Sequence, residues 1–214
     1  MRRGVLFRAL VAMVVAGACR CGQAVAQEVT PEASGQEAGQ WAWPRHVVSI
    51  SGGYGTTSAS FSRSDGSFYR NRYGGEWRVD YDYMLWGRKL GVGVVYDGVR
   101  NGFPDFHVSH HYAGVSLVGQ AVVRERWIYR LSVGAGYLSS GDGERQRGRM
   151  AVDAYWRTEY RLARRVGVGL GVSALFSDDK HLYDVYSLKP GYDASEGFEL
   201  FLRLSVLGGL YFYF

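Results

Sequence analysis

The densest group of reactive side chains is His107-Val108-Ser109-His110-His111, which holds three of the five histidines in this 214-residue chain. A serine hydroxyl becomes nucleophilic when an imidazole takes its proton, and residues two apart on a strand share a face. His107 and Ser109 could therefore act as base and nucleophile. His107, His110 and His111, with Asp105 or His181, could instead offer ligands to a divalent ion. That spacing matches no recognised ligand pattern, and histidines at a loop mouth read most simply as solvated. No metal and no cofactor is assigned. Gly52-Gly53-Tyr54-Gly55 is glycine-rich, but no helix follows it, so it is a strand end and not a phosphate cradle.

The elements that would position these residues are strands. Glycine is 30 of 214 residues, proline only 4, and aromatic residues make up 15%. This composition is too apolar for a disordered chain and points to an all-β fold. Beyond the N-terminal segment no apolar run approaches the ~20 residues of a membrane helix. From His46 onward the hydrophobic period is two. In 76–85, Trp77, Val79, Tyr81, Tyr83 and Leu85 alternate with Glu76, Arg78, Asp80, Asp82 and Met84. The same alternation marks 46–55, 89–97, 110–124, 127–138, 150–162, 165–176 and 198–214, eight strands in all. They are longer than the ~5–6 residues usual in soluble sheets, and match the ~9–11 of a tilted membrane strand. Tight turns are expected at Trp86–Lys89, Arg124–Trp127 and Leu162–Arg165. Long connections are expected at 56–74, 97–109, 138–149 and 177–197, in strict alternation with the short ones. Short turns at one end and long loops at the other are the pattern of an outer-membrane barrel.

Residues 1–26 read as a secretory signal peptide. Arg2 and Arg3 precede a mostly apolar run, and Ala24-Val25-Ala26 forms a small-x-small cleavage site. A lipid-modified Cys19 is the competing reading. Removing this segment takes four arginines and no acids, so the 25 cations fall to 21 against 20 acids. A nucleic-acid partner therefore has no electrostatic support. Cys19 and Cys21 leave with it, so the exported chain has no disulfide framework. Residues 27–45 are polar and small and read as a flexible tail, with the barrel spanning 46–214.

The polar parity carries Glu76, Asp80, Asp82, Asp97, Asp153, Glu159 and Glu199 against Arg78, Arg124, Arg130, Arg157, Arg161 and Arg203. A soluble sandwich could not bury so many charges, because each unpaired ion costs several kcal/mol. In a membrane barrel this face points inward, and eight strands leave a lumen just wide enough for side chains to fill. The expectation is a lumen plugged by salt bridges. The opposite parity places Tyr54, Trp77, Tyr96, Tyr137, Phe176 and Phe198 near one end. Tyr83, Trp127, Tyr129, Tyr160, Phe212 and Phe214 lie near the other. Two aromatic rings on one face are the girdles of a membrane-spanning barrel.

The export signal, the eight amphipathic strands and the ending Leu210-Tyr211-Phe212-Tyr213-Phe214 resemble the small bacterial outer-membrane barrels of the OmpA membrane-domain and OmpX type. Gly91-Val92-Gly93-Val94-Val95-Tyr96-Asp97 is similar to segments of uncharacterised members of that group. The resemblance implies an eight-stranded antiparallel transmembrane barrel in the bacterial outer membrane. It also implies a terminal Phe214 read by the barrel assembly machinery, and contact with outer-membrane lipid and lipopolysaccharide. Arg145 and Arg147 could pair with lipopolysaccharide phosphates or with the acidic segment 177–197. The expected function is a non-enzymatic anchor displaying surface loops for envelope integrity or partner binding. Outer-membrane lipid A deacylases also use a His-x-Ser pair on an eight-stranded barrel, which keeps His107 and Ser109 as an enzymatic alternative. A narrow pore is a second one.

Overall fold

The computed structural model describes residues 43–63, 68–102, 107–123, 126–141, 143, 146–178, 192–194 and 200–214. Every regular element among them is a strand: β1 (His46–Arg63), β2 (Phe68–Trp86), β3 (Leu90–Gly102), β4 (His107–Val123), β5 (Trp127–Gly141), β6 (Gln146–Ala163), β7 (Val166–Asp178), β8 (Tyr192–Ala194) and β9 (Leu200–Tyr213). The eight long strands pair antiparallel with their neighbours. β1 meets both β2 and β9, so the sheet closes into a barrel. Closure matters because an open edge would leave a row of unpaired N–H and C=O groups. The three-residue β8 lies against the far end of β1, with Phe61 opposite Ala194.

Most strands outrun the alternating segments that announce them. β1 and β2 remain paired as far as Ser62 opposite Phe68, so much of 56–74 is ladder and not loop. Likewise β3 and β4 pair out to Gly102 and His107, and β5 and β6 to Gly141 and Gln146. These extensions are rich in Gly, Ser and Arg and lack apolar alternation. The physical reason is that backbone pairing continues after the outer face has ceased to need apolar side chains.

At the other end the turns are tight. Lys89 N donates to Trp86 O at 2.9 Å, and both central residues, Gly87 and Arg88, sit at positive φ (55° and 58°). That is the backbone of a type I′ hairpin turn, whose twist suits the flanking strands. Residues 43–45 are tied to this end. Met84 N donates to Arg45 O at 2.8 Å, and Gln120 Nε2 donates to Pro44 O at 3.3 Å. The rest of the tail expected over 27–45 lies outside the described residues, as does the whole of 1–26.

Candidate functional site

The two faces of the wall divide polar from apolar. Inside, six acids and five arginines are each no more than 5% exposed: Glu76, Asp80, Asp82, Asp97, Asp153 and Glu159 with Arg78, Arg130, Arg157, Arg161 and Arg203. Glu199, Arg124 and Phe198 lie outside the described residues. Strand parity puts every one of these side chains into a lumen from which water is largely excluded, where an unpaired ion is costly. Most are accordingly arranged as connected pairs, while Asp97 Oδ1 is buried without a hydrogen-bond partner among the described residues. Arg78 grips Asp153 with two parallel bonds of 2.9 and 2.7 Å, and its Nε donates to Asp80 at 2.9 Å. Arg157 reaches Asp82 and lies 2.8 Å from Glu159. Arg130 Nε also stands 2.8 Å from Glu159, an ion pair without hydrogen-bond alignment. Higher up, Arg203 donates to Glu76 at 2.7 Å, to Thr57 and Asn101 at 3.0 Å and to Gly74 O at 3.1 Å. Glu76 also accepts from Ser173 and Ser205.

Tyrosines fill the space between the ions. Arg78 lies 4.3 Å over the Tyr155 ring, and Arg161 lies 5.0 Å over Tyr213. The Tyr213 hydroxyl donates to Glu159 at 2.9 Å. The inward glycines of β7 make this possible, since a Cβ at Gly167 would meet the Tyr213 hydroxyl and one at Gly171 the Tyr155 ring. Towards the tight turns the lumen ends in an apolar layer of Val47, Ile128, Tyr211 and Tyr213. The interior is thus a packed ionic core. Alternation exposed its charged members. Tyr155, Tyr211, Asn101 and Gln120 went unassigned because neutral polar and aromatic residues occur on both parities.

Outside, 27 large hydrophobic side chains are exposed among the described residues. Tyr54, Trp77, Tyr96 and Tyr137 are exposed towards the long-strand end, joined by Tyr73, whose ring stacks on Tyr54 at 6.3 Å. Trp127, Tyr129 and Phe214 are exposed towards the turn end, while Tyr83, Tyr160 and Phe212 are half-buried there and Phe176 is half-buried on β7. Trp156 is exposed in the zone between them.

The histidine run is split by the wall. β4 begins at His107, so alternate residues of the run face opposite ways. His110 is buried inside, with Nδ1 2.6 Å from Ser140 Oγ, Nε2 3.2 Å from Asn101 Nδ2 and its ring 5.4 Å from Phe201. His107, Ser109 and His111 face outward. This corrects the loop placement of His107 and Ser109. It also puts His110 on the other side of the wall from His107 and His111, while Asp105 and His181 lie outside the described residues. Among the described residues no group of acids, histidines or cysteines is placed to hold a metal ion. His107 and Ser109 do share a face, but Ser109 Oγ has no hydrogen-bond partner among the described residues, and no described carboxylate lies on the outward parity of β3, β4 or β5 to orient an imidazole.

A cleft of about 440 Å³ opens on this outer wall. It is lined by Gly53, Gly75, Trp77, Arg100, Ser109 and His111, together with Glu76 and Val99, whose side chains are buried on the inward parity. Register sets its rows. Gly75, Arg100 and Ser109 stand opposite one another across β2, β3 and β4, and Trp77, Gly98 and His111 form the next row. The Trp77 indole covers Gly98, where a Cβ would meet the ring. The Tyr96 hydroxyl lies 2.9 Å from His111 Nδ1.

No family model matches the chain, and no curated protein matches it in sequence. Solved structures do match. Neisserial surface protein A (NspA) superposes with a TM-score of 0.55 at 12% identity, covering 79% of this chain and 97% of that one. The chain has the fold of the small outer-membrane β-barrels. The outer membrane protein OprG from Pseudomonas aeruginosa (TM-score 0.47, 13% identity, 82% and 99% covered) is a further match. So is Ail, the attachment invasion locus protein of Yersinia pestis (0.41, 14%, 79% and 99%). At such identities the likeness speaks for the outer-membrane-barrel fold alone.

Proposed function

We propose that this chain is exported through its N-terminal segment 1–26, inserted into the bacterial outer membrane by the barrel assembly machinery with Phe214 in its recognition signal, and serves there as a closed anchor. Its long-strand end faces the cell surface and serves envelope integrity or partner binding. The observation that carries this reading is the inversion of the wall: among the described residues, five arginines are buried inside and 27 large hydrophobic side chains are exposed outside. A water-soluble protein rarely exposes a contiguous apolar patch beyond a few hundred Å². Lipid removes that objection, and the aromatic belts fall where headgroups meet hydrocarbon. The packed lumen argues for an anchor over a narrow pore.

The test is fractionation with gel mobility. The anchor reading expects the protein in the outer-membrane fraction, a mobility shift between unboiled and boiled samples, and no steady conductance in planar bilayers. A soluble protein without a shift would overturn the membrane assignment, and a reproducible unitary current would replace the anchor by a pore. The second reading is a lipid A deacylase, favoured by the shared outward face of His107 and Ser109. It requires that Ala at either position change the mass of cellular lipid A, and an unchanged mass removes it.

A further inference from the structure

Arg100 is anomalous. Among the described strand side chains on the outward parity it is the one carboxylate- or arginine-type charge. It is exposed, and no described residue forms an ion pair or hydrogen bond with its side chain. A guanidinium at the rim of an apolar wall keeps its five donors only if water or an anion takes them. Imidazoles stand beside it. His111 lies on the same face one step below Ser109, the cross-strand partner of Arg100, and His107 lies one step above. The Tyr96 hydroxyl lies 2.9 Å from His111 Nδ1, and no described side chain takes up Nε2, the other ring nitrogen. Ser109 adds a free hydroxyl. Beyond the next row, Tyr96 and Ala113, the outward residues Val94, Val115 and Leu117 are 52–67% exposed and make an apolar wall. Donors for an anion thus sit on the long-strand side of a surface for acyl chains, with the cleft beside Arg100 to admit a headgroup.

We propose that Arg100, His111 and Ser109 bind the phosphate of a phosphorylated lipid in the leaflet at the long-strand end, with its acyl chains lying on the Val94–Val115–Leu117 wall. The proposal rests on the outer-membrane reading above. Arg suits this role because its planar fork meets phosphate oxygens in pairs. The one acid lining the cleft, Glu76, is buried with its carboxylate held by Arg203, Ser173 and Ser205.

The test uses the full protein purified from membranes in a neutral detergent, with bound lipid counted by native mass spectrometry. The probes are bisphosphorylated lipid A, its dephosphorylated derivative and inorganic phosphate. The expected result is retention of the phosphorylated lipid over the dephosphorylated one, weakened about tenfold by Arg100→Ala. Arg100→Glu should weaken it further, and Arg88→Ala, at the opposite end, should leave it unchanged. Equal retention of both lipids, or retention indifferent to Arg100→Glu, overturns the site. Full competition by inorganic phosphate assigns it to a soluble anion and overturns the lipid. Each sample is checked for the heat-dependent mobility shift, and Arg100→Gln replaces Arg100→Glu if the latter does not shift. A wild-type protein without the shift would instead refute the membrane reading, so the two failures are distinct.

Discussion

Arg78 and Arg100 lie on adjacent strands and face opposite sides of the same wall. Arg78 is fully buried, holds Asp153 with two bonds and touches Asp80 and the Tyr155 ring. Arg100 is exposed and has no described partner. The inner arginine is neutralised by the chain itself. The outer one is left for the surroundings. In this barrel the parity of a residue decides what must satisfy it, since the lumen must be complete within the molecule and the outer wall is completed by its solvent. That difference predicts how substitutions on the two faces should behave.

The largest effect is expected inside. Asp153→Ala leaves Arg78 without its bidentate partner and should cost about 3–5 kcal/mol, read as a lower urea midpoint of the gel-mobility transition. Pairing it with Arg78→Met should recover a substantial part, because the buried charge then leaves with its partner. A double variant as unstable as the single would mean that the pair holds the barrel by shape and not by charge.

Outside, Leu117 is 67% exposed, yet Leu117→Arg should cost about 2–4 kcal/mol if that position faces hydrocarbon. A change within about 0.5 kcal/mol is what a water-exposed surface would show. A smaller loss is expected from Tyr213→Phe, which removes the hydroxyl that Glu159 accepts, of about 1–3 kcal/mol. The smallest change is a gain. Arg88 sits at φ 58°, so Arg88→Gly should stabilise the turn by about 0.5 kcal/mol, visible as a slightly later unfolding midpoint.

The fold was legible in the sequence because a membrane barrel writes its two solvents into alternate residues. From Glu76 to Leu85 every second side chain is charged or apolar in step, and β2 follows that parity. The strand ends were illegible for the same reason. Gly98–Gly102 and His107–Ser109 pair backbone to backbone with no apolar face to announce them. Alternation therefore reports where apolar surroundings are required, not where the ladder stops. Reading 97–109 as a loop hid Arg100 and misplaced the histidines. Carrying the Tyr96 parity on by two steps to Gly98 and by four to Arg100 would have put the arginine on the outer face. His110 is a similar case, since once β4 is extended to His107 its even number sends it inside with Tyr112. The short β8 against β1 had no signal, as three residues are too few to show a period.

The account depends most on which way the wall faces. The direct measurement is spin-label accessibility along β4, with single cysteines at Val115, Ser116, Leu117 and Val118 in a background where Cys19 and Cys21 are Ser, and the protein in lipid bilayers. Labels at 115 and 117 should collide readily with dissolved oxygen and weakly with a water-soluble nickel chelate, while 116 and 118 should respond weakly to both. Strong collisions of the nickel chelate at 115 and 117, or no alternation across the four positions, would contradict a lipid-facing outer wall around a sealed ionic core.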